Sequence, residues 1–282
     1  MRAATSRAKA ALAAVGLALS LAAHASLQES VIRAPVSDGS AQAYIEVTVF
    51  RPEGTGPFPL VVLSHGSPRA PEERRAQGRM RLAAQSSAFV EMGFAVLVPT
   101  RRGYGASGGD WAEGYGTCSE PDYYRAGLET ARDLRAAVEA VRGEPWADAR
   151  HVVLAGQSAG GFGSLAAAAG PFEGLRAVIN FAGGRGSLAP DQVCGEAKLV
   201  EAMERFGQAA RVPGLWLYSV NDRYFGPDLA RRMHQAFVRS GGAAEFVEAP
   251  AIGLDGHGYF ARAMDDWAPR VARFLERAGV RR

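Results

Sequence analysis

The sequence GQSAG at residues 156–160 is the strongest indication of the fold, because a predicted strand precedes it and a predicted helix follows it. The apolar run at residues 151–155 predicts a buried strand, and the small-residue stretch at 159–169 predicts a helix. A glycine–x–serine–x–glycine sequence between a strand and a helix is typical of a nucleophile on a sharp, strained turn, where larger side chains would collide. We therefore predict that Ser158 is a nucleophile and that the helix N-terminus faces developing negative charge.

A serine hydroxyl is a weak nucleophile at neutral pH and needs a neighbouring base. The chain has five histidines. His24 lies in the N-terminal leader, His151 begins a strand, His234 lies within a predicted helix, and His65 follows an early strand in a position that suits a loop-turning role. His257 stands in GLDGHG at residues 253–258, between the last strand and the last helix. Elimination makes His257 the predicted general base.

The base requires an acid that fixes its tautomer. Asp222 directly follows the predicted strand at residues 214–220, so the order Ser158, Asp222, His257 is that of α/β-hydrolases. Asp255 competes for the role, but it lies only two residues before His257 and is predicted to cap the loop instead. We predict that Asp222 is the orienting acid.

An acyl-transfer centre also needs two preorganised donors for the oxyanion. One is expected to be the backbone N–H of Ala159, the residue after the nucleophile. The second is expected from the loop SHGSP at residues 64–68, where Ser67 has a free N–H and Pro68 has none.

The rest of the chain alternates apolar runs with amphipathic stretches, which predicts a mostly parallel, doubly wound α/β sheet flanked by helices. The predicted strands are residues 43–50, 60–64, 93–99, 151–155, 175–181, 214–220 and 244–248; the predicted helices are 81–92, 122–142, 159–169, 227–240 and 259–278. Residues 183–211 form an insertion that predicts a short lid and no separate cap domain.

The triad motifs together resemble the dienelactone hydrolase-like branch of the α/β-hydrolase superfamily, over nearly all of residues 26–282. Dienelactone hydrolases use a cysteine nucleophile, whereas this chain has Ser158, so dienelactone chemistry is not implied. The stretch RGYGASGG at residues 102–109 is instead similar to exopeptidases of the prolyl oligopeptidase group. The resemblance implies a hydrolase that forms an acyl-enzyme on Ser158, with a small-molecule ester or a short peptide as substrate.

These two substrate classes make different demands on the site. Ester hydrolysis is the leading interpretation, and an aminopeptidase or dipeptidyl peptidase with the same triad is the alternative. The exopeptidase needs a carboxylate that holds the substrate's amino terminus, and the nearby candidates are Glu113, Glu120 and Asp122. A non-catalytic binding protein is a third possibility, which the intact triad disfavours.

Several side chains near the motifs are candidates for the substrate pocket. The aromatic candidates are Tyr104, Trp111, Tyr115, Phe162, Tyr224, Phe225 and Tyr259. Arg101 and Arg102 follow a strand end. We expect one of them to brace loops through an ion pair, with binding of a substrate carboxylate as the alternative.

Residues 1–25 have the order of a secretory signal peptide. Arg2, Arg7 and Lys9 precede an uncharged stretch at residues 10–23, and the small–x–small sequence AHA follows at 23–25. The mature protein, residues 26–282, is therefore expected in the periplasm or outside the cell, without stable membrane association. Cys118 and Cys194 are the chain's two cysteines, and in such a compartment they are expected to form a disulfide.

Composition excludes some other functions. The chain of 282 residues carries a formal charge of +3, and its leader holds three basic residues and no acidic one. The remainder is therefore nearly neutral and has no basic patch with interleaved aromatics, which disfavours nucleic acid as a partner. The spacing of the cysteines and histidines predicts no metal site, and no motif predicts a cofactor.

Overall fold

The computed structural model describes residues 27–38 and 41–280. The strands are β1 (Gln28–Asp38), β2 (Ala41–Arg51), β3 (Phe58–Ser64), β4 (Ala95–Thr100), β5 (Gly116–Thr117), β6 (Glu120–Pro121), β7 (Ala147–Gln157), β8 (Leu175–Phe181), β9 (Ser187–Ala189), β10 (Gln192–Val193), β11 (Gly214–Ser219) and β12 (Ala244–Ala249). The helices are α1 (Pro71–Ala76), α2 (Ala83–Glu91), α3 (Tyr123–Glu139), α4 (Ala159–Ala168), α5 (Glu196–Ala209), α6 (Pro227–Arg239), α7 (Tyr259–Arg262) and α8 (Met264–Arg277), with a 3-10 turn at Gly256–Gly258.

Eight strands form the central sheet in the order β1-β2-β4-β3-β7-β8-β11-β12. The pairs β1–β2 and β2–β4 are antiparallel, and all later pairs are parallel. The chain moves outward from β3 to β4 and then crosses back to β7, so the strand order reverses beside β3 and β7. Ligands bind at such a reversal, outside the carboxyl ends of the strands. The predicted α/β-hydrolase architecture is confirmed.

Helices cover both faces of the sheet. The buried apolar side chains of α3, α4, α5 and α6 form one cluster with the first face, and those of α2, α7 and α8 form a second cluster with the other. Burial on both faces explains why the central strands are nearly continuous apolar runs. Every residue of β4 and of β11 is buried.

The structure adds two short elements that the sequence does not predict, α1 and the hairpin β5–β6, and it differs from the predicted elements at three further places. Strand β1 pairs along the whole of β2 at the edge of the sheet, where Pro35 is tolerated because an edge strand can lack a donor. The last predicted helix is two, α7 and α8, which meet at Ala263. The insertion at residues 183–211 contains a hairpin, β9–β10, followed by α5, which packs on α6 and α3 in the flanking layer.

The predicted leader, residues 1–25, lies outside the described residues. Within the part of the chain that is described, no helix combines the length and apolarity that a membrane crossing requires.

Candidate active site

Ser158 sits on a strained turn between β7 and α4. Its backbone has φ 56° and ψ −123°, a conformation that non-glycine residues rarely adopt. The glycines of the motif allow close approach: a Cβ on Gly160 would lie 2.2 Å from the carbonyl oxygen of Ser64, and one on Gly156 would lie 2.5 Å from the carbonyl carbon of Gly160. The Ser158 N–H donates to the carbonyl of Phe181 at 3.0 Å, which ties the turn to the neighbouring strand.

His257 is held by Asp222, the residue expected to orient it. The distance from His257 Nδ1 to Asp222 Oδ2 is 3.0 Å. The other carboxylate oxygen of Asp222 accepts the backbone N–H groups of Tyr224 at 2.7 Å and Phe225 at 3.0 Å. These three hydrogen bonds fix the carboxylate of Asp222, and because the residue is only 2% exposed, they are nearly shielded from water. This arrangement favours the His257 tautomer with the proton on Nδ1, which leaves Nε2 able to accept a proton.

Asp255 does not contact the imidazole nitrogen. Its Oδ1 accepts the backbone N–H of His257 at 2.9 Å and that of Arg223 at 3.1 Å. It therefore caps the turn at Gly256–Gly258 and fastens the loop to the segment after β11, the role the sequence predicts for it.

Two further contacts place His257 beside the nucleophile turn. The Tyr224 ring stacks on the imidazole, with centroids 3.8 Å apart and planes inclined by 8°. The side-chain amide of Gln157, the residue before Ser158, donates to the His257 carbonyl at 2.5 Å. The loop with His257 is thus anchored to the turn with Ser158.

The remaining described histidines are engaged elsewhere. His65 is buried, its Nδ1 donates to the Gly66 carbonyl at 2.6 Å, and its Nε2 accepts the Arg101 N–H at 3.3 Å. Burial, aided by Arg101, lowers the pKa of His65 to about 3, so the ring is neutral at working pH. His151 pairs with Asp148 on the surface, and His234 bonds the Ala244 carbonyl.

The two predicted oxyanion donors lie at one pocket. Ser67 and Ala159 both line it together with Ser158. The Ala159 N–H is the first of helix α4, and such a group has no acceptor within its own helix. The Ser67 side chain is positioned by the Tyr104 hydroxyl, which lies 2.8 Å from Ser67 Oγ.

A buried charge network supports the loop that carries Ser67. Arg101 is fully buried, pairs with Glu113, and donates to the His65 carbonyl at 2.6 Å and to Ser64 Oγ at 3.0 Å. Glu113 also accepts from Arg185 at 2.7 Å. Burial alone would raise the pKa of Glu113, but the two guanidinium groups lower it well below its usual range. Glu113 is therefore a carboxylate between two arginines.

Arg102 is likewise committed to structure. Its Nε donates to Asp133 at 2.6 Å and its Nη2 to Glu129 at 3.0 Å, which ties the end of β4 to α3. Arg101 and Arg102 thus both brace loops, whereas the sequence predicts this role for one of them. The alternative of binding a substrate carboxylate does not apply to two fully buried, paired side chains.

The pocket beside Ser158 is small, with a volume of about 70 Å³. It is lined by Ser67, Pro68, Arg69, Arg74, Trp111, Tyr115, Ser158, Ala159, Gly184, Arg185, Gly186, Ser187, Tyr224 and Phe225. Four of the seven predicted aromatic residues, Trp111, Tyr115, Tyr224 and Phe225, belong to this lining.

The other three predicted pocket aromatics lie outside the lining. Tyr104 is fully buried behind Ser67, where its hydroxyl also bonds Glu113 at 3.1 Å. Phe162 packs in the core between Tyr123 and Phe206. Tyr259 is buried under α8, with its hydroxyl on Asp266 at 2.6 Å. Each ring contributes more by filling the core than by facing substrate, which is the commoner position for large aromatics.

Sequence reasoning missed all three charged residues of the lining, Arg69, Arg74 and Arg185. Arg185 carried a usable signal, because a charged residue four positions after the end of the buried strand β8 is expected near the carboxyl edge of the sheet. Arg69 lies just before helix α1 and Arg74 lies within it, beyond the SHGSP loop. The hydrophobic periodicity of the sequence did not indicate this helix.

The carboxylates that the exopeptidase alternative requires are placed away from this lining. Glu113 is neutralised by Arg101 and Arg185, whereas Glu120 and Asp122 border a separate surface depression beside α5. The lining itself contains no Asp or Glu. Across residues 27–38 and 41–280, no cluster of histidine, cysteine and acidic side chains is arranged to hold a metal ion.

Cys118 and Cys194 form a disulfide, the pair that the sequence predicts, with Cα atoms 5.1 Å apart. The bond joins the short hairpin β5–β6 to the segment just after β10. Tyr123 reinforces the junction through a hydrogen bond from its hydroxyl to the Cys194 carbonyl. The hairpin that contributes Ser187 to the pocket is thereby fixed to the loop that follows β4.

Comparison with solved structures finds relatives of the same fold. An acylaminoacyl peptidase from Pyrococcus horikoshii matches with a TM-score of 0.65 and 18% identity, over 89% of this chain and 42% of that one. An esterase from Pyrococcus furiosus matches with a TM-score of 0.61 and 14% identity, over 89% and 91%. A Klebsiella pneumoniae protein assigned as a dienelactone hydrolase matches with a TM-score of 0.57 and 17% identity, over 89% of this chain and 99% of that one.

At these identities the likeness establishes the fold. The chain spans about two fifths of the length of the peptidase chains, 41% in the complex with Z-Gly-Gly-Phe-chloromethyl ketone. Comparison with curated protein sequences gives no match.

These solved structures share the α/β fold of this chain. The family model of the X-Pro dipeptidyl-peptidases matches residues 38–210, which is more than half of the chain. The protein therefore belongs to the X-Pro dipeptidyl-peptidase (S15) family.

Proposed function

We propose that the protein is a serine hydrolase that cleaves carboxylic esters through an acyl-enzyme on Ser158. The observation that carries the proposal is the 3.0 Å contact between His257 Nδ1 and the buried Asp222 carboxylate, in a loop anchored next to Ser158. A serine, a histidine and an acid in these relations form the machinery of acyl transfer.

Each residue has a defined part in the proposed reaction. His257 Nε2 takes the proton of Ser158 Oγ as that oxygen attacks the ester carbonyl. The N–H groups of Ser67 and Ala159 stabilise the negative oxygen of the tetrahedral intermediate. The protonated His257, stabilised by Asp222, then donates its proton to the departing alcohol. A water molecule activated by the same histidine releases the acid and restores Ser158.

Peptide hydrolysis is the second candidate, because the chain belongs to a family described as X-Pro dipeptidyl-peptidases. A dipeptidyl peptidase binds a positively charged amino terminus beside the scissile bond. Among the described residues, the pocket lining contains three arginines and no carboxylate, and this charge would repel such a group. This charge distribution favours the ester substrate.

We further propose that residues 1–25 direct export to the periplasm or the exterior. The disulfide between Cys118 and Cys194 supports this location, since disulfides persist in oxidising compartments.

The proposal is tested with a fluorophosphonate probe and a small substrate panel. Wild-type protein is expected to be labelled at Ser158 and to hydrolyse p-nitrophenyl acetate faster than Gly-Pro p-nitroanilide. Ser158→Ala is expected to abolish labelling and to lower kcat by on the order of 10⁶-fold, whereas Ser119→Ala, a change at an exposed serine, retains both. If Ser158 is labelled and only Gly-Pro p-nitroanilide is hydrolysed, the protein is a peptidase. If the wild-type protein is not labelled, both the esterase and the peptidase are refuted.

A further inference from the structure

The pocket beside Ser158 carries an excess of positive charge. In the part of the chain that the structure describes, its charged lining residues are Arg69, Arg74 and Arg185, and no acidic residue lines it. No ion pair to a carboxylate is found for Arg69 or Arg74 within the described ranges 27–38 and 41–280. The guanidinium groups of these two residues are therefore not neutralised at close range.

Arg74 is positioned by an aromatic ring. Its guanidinium carbon lies 3.4 Å from the centre of the Trp111 ring, a distance that indicates stacking. Its Nε is buried and has no hydrogen-bond partner among the described residues. Partial burial, together with the positive charge of Arg185, lowers the pKa of Arg74, but the group stays protonated at any physiological pH. Arg74 therefore presents a charge and unused donors next to the pocket.

Arg185 is built into the floor of the same region. Its side chain is 3% exposed, and its Nη2 donates to Glu113 and to Thr130 Oγ1, each at 2.7 Å. Its Nε is buried without a partner among the described residues. Glu113 must also balance Arg101, so one carboxylate serves two guanidinium groups and a net positive charge remains.

The position of His257 indicates on which side of Ser158 the alcohol of a bound ester would lie and on which side its acyl group would lie. The departing alcohol must lie near His257, which stacks on Tyr224 after β11. Trp111 and Glu113, the partners of Arg74 and Arg185, belong instead to the loop after β4, on the other side of β3 and β7. Arg69 lies over Tyr224, 3.8 Å from that ring, and therefore on the side of the alcohol. Arg74 and Arg185 thus flank the place of the acyl group.

We propose that Arg74 and Arg185 form a subsite for a carboxylate on the acyl part of the substrate. This inference rests on the proposed function and names its substrate class: half-esters of short dicarboxylic acids, hydrolysed to the diacid and the alcohol. The small volume of the pocket, about 70 Å³, favours a short acyl chain. A guanidinium group binds a carboxylate with two parallel hydrogen bonds, so the subsite selects both charge and direction.

The inference is tested with substrates of matched length. Monoethyl succinate, ethyl butyrate and the ethyl ester of 3-aminopropanoic acid differ in the group at the end of the acyl chain: anionic, neutral and cationic. Ethanol release gives kcat/KM for each. We expect monoethyl succinate to exceed ethyl butyrate by about tenfold or more, since a charge-assisted hydrogen bond contributes on that scale. The cationic ester is expected to be the poorest substrate.

Substitution of Arg74 tests the residue itself. Arg74→Gln is expected to lower the ratio of kcat/KM for succinate over butyrate about tenfold, and Arg74→Lys to keep part of the preference because it keeps the charge. Arg239→Gln is the matched control, since it removes one positive charge from an exposed position at the end of α6. The preference should also weaken as salt is raised from about 0.05 to 0.5 M.

The outcomes separate this inference from the proposed function. If the wild-type protein hydrolyses ethyl butyrate at least as well as monoethyl succinate, the carboxylate subsite is refuted while the esterase stands. An unchanged ratio in Arg74→Gln would remove Arg74 from substrate recognition. A preference for 3-acetoxypropanoate over propyl acetate, without one for succinate, would overturn the acyl-side placement. If the probe fails to label Ser158 and no ester is hydrolysed, the proposed function itself fails.

Discussion

Replacing Asp222 by asparagine separates the two aspartates near His257. Asp222→Asn keeps the size of the side chain and one acceptor oxygen for the N–H groups of Tyr224 and Phe225, at 2.7 and 3.0 Å. The amide nitrogen then faces His257 Nδ1 as a donor. The imidazole must turn to the tautomer with its proton on Nε2, which cannot accept the proton of Ser158.

The burial of Asp222 explains why the expected loss of activity is large. Asp222 is 2% exposed, so no solvent replaces the lost carboxylate, and the protonated imidazole formed during the reaction loses its counter-charge. Loss of the orienting acid costs about 10⁴-fold in kcat, which corresponds to about 5.5 kcal/mol of transition-state stabilisation. Asp255→Asn keeps its oxygen for the N–H groups of His257 and Arg223, so its kcat should fall by no more than about threefold.

The assay is turnover of p-nitrophenyl acetate by the two variants and the wild type, with urea unfolding to verify that each variant is folded. Fluorophosphonate labelling should slow in Asp222→Asn and persist in Asp255→Asn. If the two variants lose similar activity, or if Asp255→Asn loses more, the assignment of Asp222 as the orienting acid is refuted.

Three predictions concern stability, each measured by urea unfolding. Glu113→Gln leaves two buried guanidinium groups without their carboxylate and should lower the free energy of unfolding by about 3–5 kcal/mol. The control Glu139→Gln, at an exposed i,i+3 ion pair, should lower it by less than about 0.5 kcal/mol. Equal losses of stability in the two variants would contradict the network. Replacing Cys118 and Cys194 by serine opens a loop with a sequence separation of 76 residues and should cost about 4 kcal/mol, and an unchanged midpoint would show that the bond does not constrain the chain. Burial lowers the pKa of His65 to about 3, whereas the histidine of the unfolded chain titrates at about 6.5, so below pH 6.5 the unfolded chain binds a proton that the folded chain does not. The free energy of unfolding should therefore fall as the pH is lowered from 6.5 toward 3, by about 2 kcal/mol at pH 5. His65→Asn should remove this part of the pH dependence.

Local sequence predicts the parts of the site whose geometry is local. The conformation of Ser158 follows from two glycines within two residues of it, because close approach of the backbone at Gly156 and Gly160 admits no side chain. The choice of Asp222 over Asp255 follows from chain geometry, since a carboxylate two residues before His257 reaches the backbone N–H more readily than the ring nitrogen.

The lining of the pocket is less predictable, because it depends on which face of each loop turns inward. Tyr104 and Trp111 lie in one loop, yet Trp111 lines the pocket and Tyr104 is buried behind Ser67. Arg185 and Arg101 both follow strand ends, yet only Arg185 lines the pocket, because Arg101 is used beneath the Ser67 loop. Strand β1 escaped detection because polar residues and Pro35 interrupt its apolar pattern, which an edge strand permits.

Part of the positive charge of the pocket belongs to the buried framework of the protein, because Arg185 is built into it, whereas Arg69 is exposed and Arg74 is half-buried. Arg101 holds the Ser64–His65 segment through two hydrogen bonds, Glu113 joins Arg101 to Arg185, and the Tyr104 hydroxyl lies between Glu113 and Ser67 Oγ. The same network therefore supports the proposed oxyanion donor and Arg185 of the proposed carboxylate subsite. Since the central Glu113 is shared by two guanidinium groups, the network stays positive next to Ser158 whatever the substrate. A positive potential at this place attracts anionic esters and also stabilises the oxyanion that forms on them.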